Sequence, residues 1–132
     1  MHRNKRILIV DDDQDVLLGV STRLKAAGYK TMTEANGAAA VATATKTTPD
    51  AIVMDLRLPE QDGIAAIEEL RSSAETRGIP IVMLSASLRD QQRALDAGAR
   101  FFLAKPYHGS KLVDAVDSAV NEAADQKKEK AR

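Results

Sequence analysis

Short apolar runs alternate with amphipathic stretches along the whole chain. Five of the runs are rich in aliphatic and β-branched side chains, which predicts strands, over residues 7–10, 29–34, 51–55, 81–84 and 101–104. A helical stretch is predicted after each run, mostly from apolar residues that recur at intervals of three or four positions. The first is marked by Val16, Val20 and Leu24, and the third by Ile64, Ile67 and Leu70. The others are predicted over 38–46, 89–97 and about 110–124. The chain is therefore interpreted as five consecutive βα units.

This alternation favours an α/β fold whose five-stranded parallel sheet is covered by helices on both faces. Right-handed crossovers leave few topologies, and the favoured one is the flavodoxin-like, doubly wound (βα)5 arrangement with strand order 2-1-3-4-5. In that order the first and third strands are neighbours, and ligands lie beyond the carboxyl ends of the strands. Gly28 is predicted to follow the end of the first helix, and Asn36 and Gly37 are predicted to form a turn.

The length of 132 residues fits one domain, predicted over residues 1–124 and followed by a charged C-terminal tail over 125–132 that is either a frayed helix end or a cut linker. The sequence has no cysteine, which excludes disulfides and thiolate chemistry. Neither a secretory signal nor a membrane-spanning run is visible in the sequence. The protein is therefore expected to be cytoplasmic and to have no membrane partner.

The formal net charge is zero, yet the charge is unevenly distributed. Both ends are basic, and residues 7–124 between them carry a net charge of about −5. An acidic body opposes binding to a phosphate backbone. Two Phe, two Tyr and no Trp offer no stacking platform for single strands. No direct nucleic-acid partner is expected.

Carboxylates follow two of the predicted strands. Asp11, Asp12 and Asp13 follow the first strand, and Asp55 ends the third. The predicted strand order brings these groups together, and like charges held close require a shared cation or a retained proton. Oxygen ligands select a hard cation, and Mg²⁺ suits a site with a few carboxylates, water and a phosphate. One of the first three acids, expected to be Asp13, caps the following helix.

The fourth and fifth strands add a hydroxyl and an ammonium to the same edge of the sheet. Ser85 follows the fourth strand and Lys105 follows the fifth. Either residue alone would be interpreted as a turn residue or a surface charge, but together with the acids they support phosphoryl transfer to a carboxylate, with Asp55 as the nucleophile. The sequence has no glycine-rich phosphate loop, so the phosphoryl group is expected to come from a partner or a small donor.

Four segments carry a resemblance to the receiver domain of two-component response regulators, the CheY-like superfamily. They are ILIVDDD at residues 7–13, DLRLPEQDG at 55–63, MLSA at 83–86 and Lys-Pro at 105–106. Each segment alone is weakly specific, but all four occur in the family's order and spacing. The resemblance extends from residue 6 to about residue 123 and so includes the whole predicted fold.

The resemblance implies a metal site and a phosphoacceptor. Asp12 and Asp55 would bind Mg²⁺ directly, together with the backbone carbonyl of Arg57, while Asp11 would act mostly through bound water; Mn²⁺ is expected to substitute. Asp55 would accept a phosphoryl group from a phosphohistidine, supplied by a sensor histidine kinase or a histidine phosphotransfer protein. Ser85 and Lys105 would contact that phosphoryl group.

The resemblance also implies a switch. Phosphorylation adds strong acceptor oxygens beside Ser85, whose hydroxyl would move towards them while Phe102 turns into the vacated space. The surface of the fourth helix, fifth strand and fifth helix would then change and act on a downstream protein. The Lys105–Pro106 bond is expected to be cis. Arg57 would either shield the acyl phosphate or contact a partner.

The chain is thus expected to be a phosphorelay signalling domain that assists its own phosphorylation and dephosphorylation, and not an enzyme. A monomer or a weak phosphorylation-dependent dimer is expected. Because no effector domain follows residue 124, the chain is interpreted either as a stand-alone regulator or as the receiver of a larger protein.

Two alternatives remain open. The first is a receiver-like docking module that is never phosphorylated. The second is a haloacid-dehalogenase-type phosphatase, because Asp11, Asp13 and Asp15 resemble the opening of that family's motif. The second alternative would require a later acidic pair and a cap, for which the chain is short.

Overall fold

The computed structural model describes residues 4–58 and 61–131, with side chains described as far as residue 125. The strands are β1 (Arg6–Val10), β2 (Lys30–Glu34), β3 (Ala51–Asp55), β4 (Ile81–Ser85) and β5 (Phe101–Ala104). The helices are α1 (Gln14–Ala26), α2 (Gly37–Thr47), α3 (Gly63–Arg71), α4 (Gln91–Ala97) and α5 (Gly109–Ala131). Pro59, part of the sequence motif after Asp55, lies outside the described residues.

All the described strands are parallel and form one sheet in the order β2-β1-β3-β4-β5, as predicted. Val10 at the end of β1 is in register with Met54 of β3, and Asp55 is in register with Leu84 of β4. The carboxyl ends of β1, β3 and β4 therefore lie side by side. This edge of the sheet carries the chemistry-bearing residues.

The side chains of each strand alternate between two separate apolar layers, as the pleat of a strand requires. On one face the even-numbered residues Leu8, Ile52 and Met54 pack against α2, α3 and α4. On the other face Ile9 and Val53 pack against α1 and α5. Burial on both faces explains why β3 and β4 are apolar up to their last residues, Asp55 and Ser85, and it holds the backbone of the site edge in place.

Polar side chains define where the helices begin. Asp13 accepts hydrogen bonds from the first backbone N–H groups of α1, as predicted. The turn predicted at Asn36 and Gly37 is wrong, because Asn36 caps α2 and Gly37 is its first residue. Asparagine favours turns and helix caps for the same reason, its side-chain oxygen, so the sequence alone did not separate them. Gly28 has a φ of +101° just beyond α1, which confirms its predicted position.

Two helical segments differ from the predicted bounds. The segment predicted over 89–97 starts with a 3₁₀ turn, Leu88–Asp90, and only then becomes α4. Helix α5 continues to Ala131 instead of ending near residue 124. Residues 125–130 contain good helix formers and neither glycine nor proline, which favours continuation of the helical backbone. Within the described part of the chain, no helix has both the length and the apolar character of a membrane span.

Candidate functional site

Three carboxylates converge at the carboxyl ends of β1 and β3. Asp11, Asp12 and Asp55 each place one oxygen within 4.8 Å of the others, as the strand order predicted. Asp11 and Asp55 are buried, with 2% and 8% of their surface exposed, while Asp12 faces solvent. Two buried carboxylates and one exposed carboxylate thus form a pocket that is acidic inside and reachable from outside.

Backbone groups orient the two buried carboxylates. Oδ1 of Asp11 accepts a hydrogen bond from the N–H of Asp13 at 3.0 Å. Oδ1 of Asp55 accepts one from the N–H of Arg57 at 3.3 Å. In both residues the second carboxylate oxygen, Oδ2, is outside these backbone bonds and can contact a ligand in the pocket. The tight turns after β1 and β3 therefore fix which oxygen each acid offers to a ligand.

Lys105 supplies the positive charge in the pocket. Its Nζ lies 3.4 Å from Oδ2 of Asp55 and 3.7 Å from Oδ2 of Asp11. Lys105 follows β5, and its backbone N–H donates to the carbonyl of Ser85 at 2.7 Å, which ties its position to β4. The Lys105–Pro106 peptide bond is cis, as predicted. The ammonium thus partly offsets the two buried negative charges.

The electrostatics of Asp11 show that this compensation is incomplete. Burial, together with the charge of Asp55, raises the pKa of Asp11 above its usual value, although the Asp13 N–H and Lys105 act in the opposite direction. Oδ2 of Asp11 is also buried without a hydrogen-bond partner among the described residues. A buried acceptor without a donor is costly, and a divalent cation bound to these oxygens would satisfy it. The residues present therefore fit a hard divalent ion such as Mg²⁺.

Ser85 lies at the predicted strand end but forms a bond that the sequence did not indicate. Its hydroxyl is fully buried and donates to Oδ2 of Asp90 at 2.7 Å. The hydroxyl oxygen of Ser85 also accepts a hydrogen bond from the backbone N–H of Ser87 at 3.1 Å. Among the described residues, no hydrogen bond joins the hydroxyl of Ser85 to Asp55 or to the side chain of Lys105. The hydroxyl is thus at the rim of the pocket and is bound to another carboxylate.

Asp90 is the residue of this region that sequence reasoning missed. It is 4% exposed, and its carboxylate also accepts from Arg57 and from Arg93, each at 3.3 Å. The hydrogen bond from Ser85, followed by the charges of the two arginines, holds the pKa of Asp90 below its usual value. The available signal was a cluster of charges just after the fourth strand, at residues 89, 90 and 93.

The side chain of Arg57 forms an ion pair with Asp90, and its two predicted roles, shielding the acyl phosphate or contacting a partner, stay predictions. It extends from the loop after Asp55 to Asp90, with 69% of the side chain exposed. Arg93 continues the chain of charges to Asp62, the residue that caps α3. This network connects the loop after β3 with the start of α4 and the start of α3.

Phe102 lies on β5 in register with Met83 of β4. Its side chain is half-buried and packs against the apolar layer that faces α2, α3 and α4. Phe102 therefore lies on the same face of the sheet as α4, where a change in its orientation would reach the surface.

The sequence of residues 7–117 matches the response regulator receiver domain. The chain belongs to this family. Its curated relatives include the transcriptional regulatory protein PrrA of Mycobacterium leprae, which is 41% identical over 84% of this chain and 48% of PrrA. The chemotaxis protein CheY of Bacillus subtilis is 35% identical over 88% of this chain and 98% of CheY. The chain thus spans about half the length of the longer regulator and nearly all of the shorter one.

A solved structure supports the same assignment. The receiver domain of the sensor histidine kinase PA1611 of Pseudomonas aeruginosa PAO1 superposes with a TM-score of 0.82 and 33% sequence identity, over 89% of this chain and 98% of that one. It contains a magnesium ion coordinated in the active site cleft. Both the fold and the acidic edge of the sheet are therefore features that this chain shares with receiver domains.

Proposed function

We propose that this receiver domain accepts a phosphoryl group on Asp55 from a phosphohistidine and then acts on a downstream protein. The donor is a sensor histidine kinase or a histidine phosphotransfer protein. The observation that carries the proposal is the position of Oδ2 of Asp55, which lies 3.4 Å from the ammonium of Lys105 and beside two further carboxylates. This arrangement offers a nucleophilic oxygen together with positive charge for the transferred group.

The acidic pocket supplies the metal site of the reaction. Asp12 and Asp55 are the proposed direct ligands of Mg²⁺, with the backbone carbonyl of Arg57, while Asp11 acts through bound water. Oδ2 of Asp11, which is buried without a hydrogen-bond partner among the described residues, supports a metal site in this pocket. When bound, the ion neutralises charge that collects on the phosphoryl oxygens. The same oxygen ligands are expected to accept Mn²⁺.

The transfer itself exchanges one bond for another. An oxygen of the Asp55 carboxylate forms a bond to phosphorus while the phosphorus–nitrogen bond of the donor breaks. The electron pair of that bond returns to the imidazole, which leaves as a neutral ring because its other nitrogen already carries a proton. Lys105 remains protonated and offsets the negative charge of the acyl phosphate as a point cation.

The phosphorylated state is proposed to change the face formed by α4, β5 and α5. Ser85 donates to a phosphoryl oxygen, and Phe102 turns inward from its half-buried position. The protein partner binds this altered face, so the chain works as a signalling domain that assists its own phosphorylation and dephosphorylation and does not act on a separate substrate. The cytoplasmic location, the monomeric or weakly dimeric state and the division at residue 124 stay predictions.

The deciding experiment is incubation with acetyl phosphate, with and without Mg²⁺, followed by intact mass measurement. We expect one phosphoryl adduct on the wild type in the presence of Mg²⁺, and none without Mg²⁺ or on Asp55→Asn. Asp13→Asn is the matched control, because it removes a neighbouring charge while asparagine still caps α1. An adduct that survives Asp55→Asn would contradict the site.

Ser85→Ala separates the transfer from the response. This variant is expected to form the adduct while its backbone NMR shifts in α4 and β5 change less than those of the wild type. If a folded wild type forms no adduct at all, the docking-module alternative would replace the proposal.

A further inference from the structure

Asp90 stands where an aspartate normally caps a helix, yet it does not cap α4. It precedes Gln91, the first residue of that helix, and its side chain accepts no hydrogen bond from the N-terminus of α4. An aspartate before a helix usually stabilises the first turn in this way. Here the carboxylate, although 4% exposed, is turned to Ser85, Arg57 and Arg93. Its position is therefore set by the rim of the phosphoryl site and not by the helix that it begins.

The hydroxyl of Ser85 has one proton and can donate one hydrogen bond at a time. In this structure it donates to Oδ2 of Asp90 at 2.7 Å, and its oxygen accepts from the backbone of Ser87. A phosphoryl group on Asp55 would need the same proton. The two acceptors, Asp90 and the phosphoryl oxygen, therefore compete for Ser85.

We propose that Asp90 is a positioning residue that holds the Ser85 hydroxyl away from the phosphoryl site until transfer has occurred. The inference rests on the proposed phosphorylation of Asp55. When the Ser85 hydroxyl turns its hydrogen bond from Asp90 to the phosphoryl oxygen, it keeps its proton and a contact at the start of α4 is lost. Asp90 then keeps its two arginines, of which Arg93 also contacts Asp62 at the start of α3. The exchange thus connects the chemistry at β3 with the position of α4.

The first test is titration of the Mg²⁺-loaded full chain with beryllofluoride, a stable analogue of the phosphoryl group. Because Asp90→Ala removes the competing acceptor, it is expected to bind beryllofluoride about tenfold more tightly than the wild type. Asp90→Asn keeps the shape and a weaker, neutral acceptor, so it is expected to show a smaller gain in the same direction. Asp96→Asn is the matched control, since it removes a carboxylate from the exposed side of the same helix.

A double substitution separates this competition from a general effect of charge. In a Ser85→Ala background no hydroxyl is left to compete for, so Asp90→Ala is expected to leave the affinity for beryllofluoride unchanged. A gain that persists in that background, or an affinity that stays equal or falls in both single Asp90 variants, would overturn the inference. If Asp90 only stabilised the fold, its substitution would weaken the binding of beryllofluoride and not strengthen it.

The second test needs no substitution. A crystal structure of the wild type with Mg²⁺ and beryllofluoride is expected to show Oγ of Ser85 facing a fluoride and beyond hydrogen-bond distance from Asp90. A retained bond between Ser85 and Asp90 in that complex would overturn the inference. If the wild type does not bind beryllofluoride in the presence of Mg²⁺, the proposed function itself fails. If the wild type binds beryllofluoride but substitution of Asp90 leaves the affinity unchanged, only the inference about Asp90 fails.

Discussion

Nζ of Lys105 lies 3.4 Å from Oδ2 of Asp55. The ammonium therefore shares the carboxylate that the proposed metal ion would bind, and two cations held at one site repel each other. The same residue that favours a phosphoryl group should disfavour the metal before the phosphoryl group arrives.

Lys105→Met is accordingly expected to act in opposite directions on two ligands. Mg²⁺ should bind several-fold more tightly, by about 1 kcal/mol after solvent screening, whereas beryllofluoride should bind more weakly because its negative charge loses a partner. Calorimetric titration of each ligand measures both effects. Lys111→Met serves as the control, since it removes the same charge from an exposed position. Weaker Mg²⁺ binding by Lys105→Met would show that the ammonium supports the metal site.

Substitutions of Asp12 and Asp13, the neighbouring aspartates after β1, are expected to have separate effects on metal binding and on stability. Asp13→Ala removes the cap of α1 and should lower the free energy of unfolding by about 1 kcal/mol while Mg²⁺ affinity stays nearly constant. Asp12→Ala should weaken Mg²⁺ binding about tenfold or more and leave the stability of the metal-free protein unchanged. Urea unfolding in EDTA and Mg²⁺ titration test the pair. Equal metal affinity in Asp12→Ala and the wild type would remove Asp12 from the ligand set.

Gly63 is expected to tolerate no side chain. A Cβ there would lie 2.4 Å from Cε of Met83 and 3.0 Å from both the carbonyl oxygen of Asp55 and Cα of Leu56. The methionine can move but the backbone cannot, so Gly63→Ala should cost about 1–3 kcal/mol and displace the loop after Asp55. Gly19→Ala, within α1 and with nothing inside 4 Å of its Cβ, should instead gain about 0.5–1 kcal/mol. Urea unfolding compares the two, and a neutral Gly63→Ala would contradict the close packing.

Alkaline stability is expected to depend on Tyr29. Its hydroxyl donates to the carboxylate of Asp117 on α5, and burial together with this bond raises its pKa above the ordinary value of 10.0. Below pH 10 the bond stabilises the fold, and Tyr29→Phe should lose about 1–2 kcal/mol. Above the ordinary pKa the unfolded tyrosine ionises while the folded one keeps its proton, so the stability of the wild type falls as pH rises.

The stabilities of the wild type and Tyr29→Phe should therefore converge above about pH 10. Urea midpoints at neutral and alkaline pH test this prediction. Tyr107, whose pKa is raised mainly by burial, is present in both proteins and so does not affect the comparison. A constant difference between the two curves would contradict the assignment.

The parts of the fold that follow from local pattern were predictable. The apolar runs predicted the bounds of β3 and β5. Burial on both faces accounts for the apolar residues of β3 up to Asp55. The handedness of the crossovers leaves few strand orders, and the favoured order predicts that Asp11 and Asp55 lie close together. Asp13 was predicted as a cap because an acid before an amphipathic stretch has few other roles.

The contacts that depend on side-chain direction were not predictable. Ser85 lies at the predicted strand end, but no sequence pattern indicates its bond to Asp90. Arg57 and Asp90 are 33 residues apart in the chain, and no periodic pattern connects them. Asn36 was assigned to a turn because its preference for turns and its preference for helix caps have one physical origin. In each case the partner is set by the tertiary structure and not by the local sequence.

Helix α4 is held to the body of the protein less firmly than its neighbour. Of its seven residues, all of them described, only Ala94 is buried, whereas the nine residues of α3 bury four. Little apolar surface has to be exposed when such a short helix shifts, so the free energy needed to displace it is small. The strands β3 and β4, by contrast, are buried along their whole length and are held firmly in place. If Asp55 is phosphorylated as proposed, the added charge is therefore expected to move this weakly anchored helix and to leave the rest of the molecule in place.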